Sequence, residues 1–450
     1  MGSSKWEKVR LKDAAIFFSG GTPPKSNSEY WGGDIPWISA KSMTGNRYND
    51  SELKLTEAGL KKGSRLAPKD ATLLLVRGSM LHQRIPVGIA TKDVAFNQDV
   101  KAIVPNKKFC PLYFYYCFAG REHELLSKVE NTGIGAGKLD TDILHKVEFY
   151  CPPLPEQKAI AHILGSLDDK IELNRQMNET LEAMAQALFK SWFVDFDPVI
   201  DNALAAGNPI PDVFAARAEL RKQQKKSPQS HLFPDAFEYT DEMVWIPQGW
   251  EIVNFTEFAK LDTTSVKPNL EQDKIWELYS IPAFDTNKQP VFELGEEIKS
   301  NKYRVNKASV LVSKLNPETE RIWWVNISDK NRAICSTEFM QFVPNNIVQR
   351  AFVYNLIKSD FFQAEIKKRV TGSTGSRQRA QPKSVAVVDV LAPNNDLIER
   401  FSEITEPYKA RQVGNISKNK SLSKLRDTLL PKLLSGELRI PDAEKLIKEA

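Results

Sequence analysis

The stretch PPLPEQKAIAHILGSLDDKIELNRQMNETLEAMAQALFKSWFVDF, from Pro152 to Phe196, decides the fold of this chain. Apolar residues and asparagines recur in it at alternating spacings of four and three, which is the pattern of a coiled-coil seam. From Pro155 to Phe193, a helix rising ~1.5 Å per residue would be roughly 55 to 60 Å long, more than one small core needs. The predicted seam comprises Ile160, Leu164, Leu167, Ile171, Asn174, Asn178, Leu181, Ala185, Leu188 and Trp192.

A second helix with the same pattern is predicted 241 residues further on. A polar Asn in a seam costs stability but fixes the register and orientation of the partner helix. Asparagines at matching positions of both helices therefore favour pairing of the two helices, antiparallel if the halves are related by a pseudo-twofold axis. Packing of each helix on its own domain is the alternative. The second seam comprises Asn415, Asn419, Leu422, Leu425, Leu429 and Leu433, which match Asn174, Asn178, Leu181, Met184, Leu188 and Trp192.

The sequences that precede the two helices also repeat. Five similarities in the same order and at nearly constant spacing indicate a tandem duplication rather than chance. The matching pairs are WEKV (6–9) and WEIV (250–253), DATLLLV (70–76) and KASVLVS (307–313), LYFYYCF (112–118) and AFVYNLI (351–357), NTGIGAGKLD (131–140) and VTGSTGSRQR (370–379), and VEFYCPP (147–153) and VDVLAP (388–393).

This repeat predicts a mixed α/β fold, more narrowly α+β, with two globular heads in tandem and two long antiparallel coiled-coil helices. The heads should be rich in strands, because short runs of Val, Ile, Leu and aromatic residues are punctuated by Gly, Pro, Asn and Asp. The expected segments are a first head at 1–153, a first long helix at 154–196, a connector at 197–245, a second head at 246–393, a second long helix at 394–436 and a tail at 437–450.

Composition permits DNA binding without arguing for it. The net charge is +5, and the pI near 8.7 falls short of the value above about 9 that is typical of strongly basic nucleic-acid domains. The four cysteines form no CxxC pair, so neither a zinc site nor a disulfide framework is indicated. No apolar run reaches the ~18 residues of a membrane span and no signal peptide is evident, so a cytoplasmic protein is expected.

The run SGGTPPKSNSEYWGGDIPW, residues 19–37, opens the first head with a sharp, partly rigid turn that carries hydroxyl and ammonium donors. It resembles the opening of the target recognition domains in the specificity subunits of type I restriction-modification systems. The helix at Pro152–Phe196 resembles the family's central conserved region, and LRDTLLPKLLSGEL, from Leu425 to Leu438, resembles its distal one. The second head opens differently, with LDTTSVKPN at 261–269, which leaves residue-level transfer there in doubt.

The resemblance implies a division of labour. Each head would read one half of a bipartite, asymmetric DNA site, and the helices would set the length of the spacer. Two modification (methyltransferase) subunits carrying S-adenosylmethionine would pack on the conserved helices, and restriction (motor-nuclease) subunits using ATP and Mg would join for cleavage. The chain itself would hold no cofactor and no metal.

Side-chain chemistry narrows which residues could contact DNA. Arg can bridge O6 and N7 of guanine, Asn or Gln can pair with adenine, and Lys or Ser mostly hold phosphate. Arg77 and Lys314 both follow the repeated strand, while Lys138 and Arg377 both lie in the repeated Thr-Gly loop. The predicted DNA-binding residues are Thr22, Lys41, Ser42, Arg77, Ser79, Gln83, Arg84 and Lys138 in the first head, and Lys314, Asn316, Arg321, Arg377 and Arg379 in the second.

The motifs of an enzyme are missing. GIGAGKLD, from Gly133, has three residues instead of four between Gly133 and Gly137, and Leu139 stands where a P-loop has the Ser or Thr that binds magnesium. The chain lacks the Asn-Pro-Pro-aromatic string of an adenine methyltransferase, and its five histidines show no metal-ligand spacing. We therefore expect a non-catalytic DNA reader. A scaffold that binds proteins through its heads is the alternative.

Overall fold

The computed structural model describes residues 6–132, 135–224, 229–240, 244–372 and 378–448. The chain divides into two compact units. Unit 1 consists of Met1–Asn174 with Ser417–Ala450, and unit 2 consists of Arg175–Ile416. Since each boundary falls inside a long helix, each unit contains one half of both long helices.

Head 1, at residues 6–153 of unit 1, is an α+β fold. Its strands are runs of branched and aromatic side chains, which pack well on a half-buried pleated surface. The strands are β1 (Glu7–Arg10), β2 (Ala15–Ser19), β3 (Trp31–Ile38), β4 (Arg47–Tyr48), β5 (Lys54–Leu55), β6 (Leu66–Ala67), β7 (Thr72–Leu75), β8 (Arg77–Gly78), β9 (Val87–Ala90), β10 (Val94–Phe96), β11 (Val100–Pro105), β12 (Glu130–Asn131), β13 (Gly137–Lys138) and β14 (Glu148–Cys151), and the helices are α1 (Leu11–Ala14), α2 (Glu57–Gly63), α3 (Pro111–Ala119), α4 (Glu122–Leu126) and α5 (Thr141–His145).

The first long helix, α6 (Leu154–Phe193), begins where a buried glutamine fixes it to head 1. The side-chain amide of Gln157 donates to the carbonyl oxygens of Lys108 and Pro152 at 2.9 and 2.8 Å, and its oxygen accepts from the backbone N–H of Cys110 at 2.8 Å. These bonds satisfy the buried polar atoms at the junction. They explain why PLPEQ marks the start of the helix.

Unit 2 continues through a connector into head 2, at residues 245–393. The connector helices are held by bidentate ion pairs from Arg217 to Asp197 and from Arg221 to Asp201. The elements are α7 (Asp197–Ala206), α8 (Ala215–Arg221), β15 (Phe237–Tyr239), β16 (Trp245–Pro247), β17 (Glu251–Asn254), β18 (Ala259–Leu261), β19 (Ser265–Val266), β20 (Ile275–Tyr279), α9 (Ile281–Asn287), β21 (Val291–Leu294), β22 (Lys302–Arg304), β23 (Val310–Ser313), β24 (Ile322–Trp324), β25 (Ala333–Ser336), β26 (Phe339–Pro344), α10 (Arg350–Lys358), α11 (Asp360–Lys368), β27 (Val370–Thr371), β28 (Arg379–Ala380), α12 (Pro382–Ala386) and β29 (Asp389–Ala392), followed by α13 (Asn395–Ser435) and α14 (Ile440–Lys448).

The two heads share one topology, as the sequence repeat predicts. Sheet order β2-β11-β7-β9 in head 1 matches β18-β26-β23-β24 in head 2, and β6-β10-β3 matches β22-β25-β20. The central pair of the second sheet is parallel in both heads, β10 with β3 and β25 with β20. In each head the first strand pairs antiparallel with the last one before the long helix, β1 with β14 and β17 with β29. The mixed α+β tandem fold is confirmed.

The long helices α6 and α13 run antiparallel within each unit. In unit 1, Asn174 Nδ2 donates to Asn419 Oδ1 at 2.8 Å. In unit 2, Asn415, which is fully buried, donates to Asn178 Oδ1 at 2.8 Å. The matching seam asparagines therefore face each other as amide pairs, which fixes the register of the seam even though Asn415 Oδ1 has no hydrogen-bond partner among the described residues.

Each head is completed by the far end of the other helix. The core of head 1 takes up the C-terminal leucines of α13, including Leu429 and Leu433, together with Leu164 and Leu167 of α6. The core of unit 2 takes up the aromatic C-terminus of α6, with Trp192 1% exposed. Leu188 packs at the edge of that core, whereas Leu181 and Leu422 are half-buried.

The repeated tryptophan that opens each head packs against the end of a long helix. Gly436, which follows α13 at a φ of +76°, lies against the Trp6 ring, and a Cβ there would come within 3.0 Å of it. A glycine both permits this φ and leaves room for the indole. In unit 2 the ring of Trp250 instead meets Phe193 and Phe196, with ring centroids 6.1 and 5.8 Å apart.

Candidate nucleic-acid interface

One edge of head 1 gathers the predicted cations. Strand β8 pairs antiparallel with β13, which places Arg77 directly opposite Lys138. Both side chains are exposed. Gly78, next to Arg77, has a φ of +143°, a conformation that favours glycine. The strand pair thus presents an ammonium and a guanidinium side by side.

The turn that follows β8 extends this edge. A 3-10 helix, Ser79–His82, leads to Gln83 and Arg84, and Ser79 and Gln83 are exposed. Arg84 Nη2 donates to the carbonyl oxygen of Met43 at 3.0 Å and so ties this turn to the one holding Lys41 and Ser42. The hydrogen bonds therefore bring two predicted stretches, far apart in sequence, to one place.

Thr22 joins the same edge through the loop between β10 and β11. Its hydroxyl donates to Gln98 Oε1 at 2.7 Å. The next residue, Asp99, accepts from the backbone N–H of Val76, whose carbonyl in turn accepts from Leu139. Hydrogen bonds thus connect the loops and strand ends that carry the eight predicted residues of head 1.

The two exposed lysines of this edge have acidic neighbours. Lys41 pairs with Glu52 and Lys138 with Asp140, each at 2.8 Å. Each lysine donates a hydrogen bond to its carboxylate, which raises the pKa of both lysines, so both are charged at neutral pH. Exposed ion pairs of this kind contribute little to stability and exchange readily. The lysines are therefore available to a phosphate.

Head 2 has a corresponding edge, but its register differs from the one expected from sequence. The isolated bridge between Leu315 and Arg379 occupies the place of Arg77 and Lys138, and the N–H of Ala380 donates to the carbonyl of Lys314 as Leu139 donates to Val76. The counterpart of Lys138 is thus Arg379 and that of Arg77 is Leu315, with Lys314 one residue earlier in the chain. Arg377 itself lies outside the described residues.

Acidic residues engage two of the predicted arginines of head 2. Arg321 forms a bidentate pair with Asp285 at 2.6 and 2.9 Å and is only 13% exposed. Arg379 contacts Glu338 at 3.0 and 3.3 Å. Asp285 and Glu338 lie 36 and 41 residues from these arginines in sequence, which is why motif spacing gave no sign of them. Both arginines are held in one orientation by these carboxylates.

Asn316 occupies the position in head 2 that Gly78 occupies in head 1. It has a φ of +48°, and its N–H donates to the carbonyl of Gln378 at 3.0 Å. Asn tolerates this left-handed conformation better than most residues. Lys314 and Asn316 are both half-buried. Both heads therefore have a residue of positive φ at this position, but the residue and its backbone conformation differ between them.

The glycine loop of head 1 is a packing feature rather than a nucleotide site in its described part. A Cβ on Gly137 would come within 2.8 Å of Leu81, and Leu139 is 1% exposed in the core. His82 Nε2 donates to the carbonyl of Gly135 at 3.0 Å, a support that the sequence did not reveal. Among the described residues, no group of three or more His, Cys, Asp or Glu could hold a metal ion.

The cysteines and the long helices give further information. Cys110, Cys117, Cys151 and Cys335 are all free thiols, and burial raises the pKa of Cys117 to about 12. A thiol with so high a pKa is a poor nucleophile at neutral pH. Across the described ranges, no helix is long and apolar enough to traverse a bilayer.

The fold and the candidate site together define a class of protein. It has two α+β heads in tandem, with cationic side chains on their loops, and two long antiparallel helices. Known proteins of this class are found by comparison. The family model for the type I restriction modification DNA specificity domain matches residues 3–183. The resemblance of this chain to the specificity subunits of type I restriction-modification systems is therefore confirmed.

Two relatives match this chain along most of their length. The chain is 27% identical to the type I restriction enzyme MjaIX specificity subunit of Methanocaldococcus jannaschii, covering 97% of this chain and 94% of that one. It is 26% identical to the HindI specificity subunit of Haemophilus influenzae, covering 78% and 81%. The crystal structure of the type I restriction-modification S subunit from M. genitalium is similar in fold, with a TM-score of 0.52 at 14% identity over 96% of this chain and 97% of that one.

Proposed function

We propose that this chain is the sequence-specific DNA-binding subunit of a type I restriction-modification complex. The observation that carries this proposal is the pair of heads with one topology and different polar side chains at the equivalent edge. Two heads of one frame that differ in their loops suit a bipartite site whose halves have different sequences. A protein-binding scaffold would not need cations at this edge, so that alternative is less favoured.

Within this proposal the exposed cations of head 1 have separate roles. Lys41 and Lys138 would hold phosphates, because an ammonium is a point charge without the geometry to select a base. Arg77 and Gln83 would face base edges, since a guanidinium can bridge a guanine and an amide can pair with adenine. In head 2, Lys314, Asn316, Arg321, Arg377 and Arg379 remain the proposed contacts.

The chain would work without catalysis of its own, in the cytoplasm, where host DNA is accessible. Two modification subunits carrying S-adenosylmethionine would dock on the long helices, and restriction subunits using ATP and Mg would complete the complex. In this arrangement the segments proposed from sequence keep their roles, with 1–153 and 246–393 as recognition domains and 154–196 and 394–436 as conserved helices. The remaining segments, 197–245 and 437–450, would be the connector and the tail.

Methylation mapping of host DNA by long-read sequencing tests the proposal. In a host that carries the cognate modification subunit, the gene for this chain should create one bipartite methyladenine motif, and its deletion should remove that motif. Deleting the modification gene instead serves as a control and should give the same loss. An unchanged methylation pattern after deletion of this chain would refute the proposal.

The spacing role of the helices has a separate test. Inserting one heptad into both α6 and α13, at matching seam positions, should preserve the asparagine pairs and lengthen the tolerated spacer between the half-sites. Insertion into α6 alone should instead break the seam register and abolish methylation. An unchanged spacer in the double insertion would contradict the role of the helices as a ruler.

A further inference from the structure

Two buried ion pairs link the long helices, one in each unit. In unit 1, Arg426 of α13 contacts Asp168 of α6 at 2.6 Å, and Asp168 is 3% exposed. In unit 2, Lys409 of α13 contacts Glu182 of α6, and Lys409 is 6% exposed. In both pairs α6 supplies the acid and α13 supplies the base.

Side chains of the heads hold both acids in place. In unit 1, Asp168 accepts from Tyr116 Oη at 2.7 Å and from Asn46 Nδ2 at 3.0 Å. In unit 2, Glu182 accepts from Tyr354 Oη at 2.9 Å and from Lys358 at 2.6 Å. Because each carboxylate is ordered and largely removed from water, an unmatched charge opposite it would be costly.

Equivalent positions of α6 and α13 lie 241 residues apart, so the residues that would meet can be read off if a helix paired with the same helix of a second chain. Position 168 of α6 corresponds to position 409 of α13, and the two asparagines of α6 correspond to those of α13. In an antiparallel pair of two α6 helices, Asn174 would still meet Asn178 of the second copy, but Glu182 would meet Asp168 of that copy. The asparagine contacts can therefore form both when α6 pairs with α13 and when α6 pairs with a second α6, whereas the ion pairs can form only when α6 pairs with α13.

Two α13 helices would fail for the opposite reason. Asn415 would meet Asn419 of the second copy, and Arg426 would meet Lys409 of that copy. Each self-pairing thus buries like charges, acid on acid for α6 and base on base for α13, and by symmetry it does so twice. Like charges placed opposite each other exclude a wrong partner more strongly than a matched pair rewards the right one.

Packing at the helix ends acts in the same direction. Head 1 accepts leucines, with Leu434 Cδ1 so close to Gly120 that a Cβ there would come within 2.6 Å. The residue of α6 that corresponds to Leu434 is Phe193, which in unit 2 packs against Phe352 and Phe401 with ring centroids 5.2 and 5.4 Å apart. A phenylalanine would not fit the space that head 1 leaves for a leucine.

We propose that the two ion pairs Asp168–Arg426 and Glu182–Lys409 make α6 and α13 selective for each other within one chain and exclude pairing of either helix with its copy in a second chain. The device specifies a single-chain two-headed molecule over dimers of like halves. It stands independently of DNA recognition.

Two substitutions in the full chain reverse the selectivity. In the variant Glu182→Lys/Arg426→Glu, native pairing of α6 with α13 places two acidic side chains opposite each other at positions 168 and 426. It also places two basic side chains opposite each other at positions 182 and 409, and Lys358 adds to this second repulsion. Self-pairing becomes matched, because position 182 then meets Asp168 of the second copy and position 426 meets its Lys409. The net charge of the chain is unchanged.

The matched control is the fourfold variant Asp168→Lys/Glu182→Lys/Lys409→Glu/Arg426→Glu, which contains both substitutions of the reversed variant and keeps the net charge. It restores both native ion pairs with opposite polarity and still places like charges opposite each other in either self-pairing. Native mass spectrometry over a concentration series should show monomers for the wild type and the control. The reversed variant should dimerise with a dissociation constant at least about tenfold lower than that of the control. A reversed variant that stays monomeric at every concentration, or dimerises no more than the control, would overturn the proposal.

Co-expression tests the same proposal if the reversed variant does not accumulate as folded protein. Two full-length chains with different tags are produced together. One carries Glu182→Lys and the other carries Lys409→Glu, so each chain by itself has like charges at positions 182 and 409. Exchange of helices between the two chains matches every pair, and the mixed complex should be recovered in excess over either chain with itself. Equal recovery of mixed and like complexes would overturn the proposal.

Discussion

Head 1 of unit 1 and head 2 of unit 2 have the same topology but carry different side chains at the edge that we propose contacts DNA. Head 1 offers Arg77 and Lys138 as exposed neighbours on paired strands. Head 2 has Leu315 and Arg379 at the same two positions, with Arg379 bound to Glu338. The frame is thus separable from its recognition chemistry, as is common where binding residues sit on loops of a rigid scaffold.

The same contrast holds inside the units. Unit 1 closes its core with leucines of α13 and the ion pair Asp168–Arg426, whereas unit 2 uses the aromatic end of α6 and Glu182–Lys409. The two units therefore share one topology but close their cores with different side chains and different ion pairs.

The largest expected effect is the destabilisation of one unit by a core substitution that leaves the other unit folded. Trp192→Ala should destabilise unit 2 by about 3–5 kcal/mol, and Leu433→Ala should destabilise unit 1 by about 2–5 kcal/mol, because both leave a cavity in a packed core. Hydrogen exchange followed by mass spectrometry should localise each loss to its own unit. Met184→Ala, at a 48% exposed position of the same helix, should change little. Loss of protection in both units from either variant would contradict the division of the cores.

Acid titration should act on unit 2 through Glu182. Burial would by itself raise the pKa of this carboxyl, but the charges of Lys409 and Lys358 lower it to about 2. Because the folded pKa lies below the unfolded value, the contribution of Glu182 is complete above about pH 4.5 and disappears as the pH falls toward 2, and it amounts to no more than about 3 kcal/mol.

Denaturant unfolding of the wild type and Glu182→Gln between pH 6 and pH 2 measures this contribution. The stability difference between the two proteins should shrink as the pH falls. Glu179→Gln, which removes an exposed ion pair with Arg175 on the same helix, is the matched control and should show almost no difference. A gap between the wild type and Glu182→Gln that stays constant with pH would contradict the role of the ion pair.

The smallest expected effects are on DNA affinity, and they should differ between the edges of head 1 and head 2 that we propose contact DNA. Lys138→Ala should weaken DNA binding similarly across sequences and reduce the slope of log affinity against log salt by about one. Arg379→Ala should reduce that slope less, because Glu338 contacts the guanidinium twice, at 3.0 and 3.3 Å, whereas Asp140 contacts Lys138 once. Lys222→Ala removes an exposed cation paired with Glu219 on the connector and should leave binding unchanged. A loss at Lys138 confined to one sequence would assign it to base reading instead.

The sequence predicted the frame well, because periodicity and repetition report on packing. The seam from Pro155 to Phe193 predicted a helix that the structure gives as Leu154–Phe193. The matching asparagines predicted that the two long helices pair, and in the structure they do so through Asn174–Asn419 and Asn178–Asn415. The aromatic segments at 112–118 and 351–357 lie within α3 and α10. These signals are local or strictly periodic, so one chain suffices to find them.

The recognition edge was harder to predict, because its register depends on hydrogen bonds between distant loops. Nothing in the repeat indicated that Arg379 rather than Arg377 stands in the place of Lys138, since that equivalence follows from the bridge to Leu315. The partners of Arg321 and Arg379 are acids on other loops. Charge and spacing in the sequence therefore identified candidate cations. They did not show which of these cations form ion pairs with acidic neighbours.

Exchange of head 1 tests the central claim most directly. Residues 1–150 are replaced by the corresponding head of a relative, with both long helices and head 2 kept, and the methylated motif is mapped by long-read sequencing. The two-headed account predicts that one half of the bipartite site changes while the other half and the spacer stay the same. A change in both halves would contradict it.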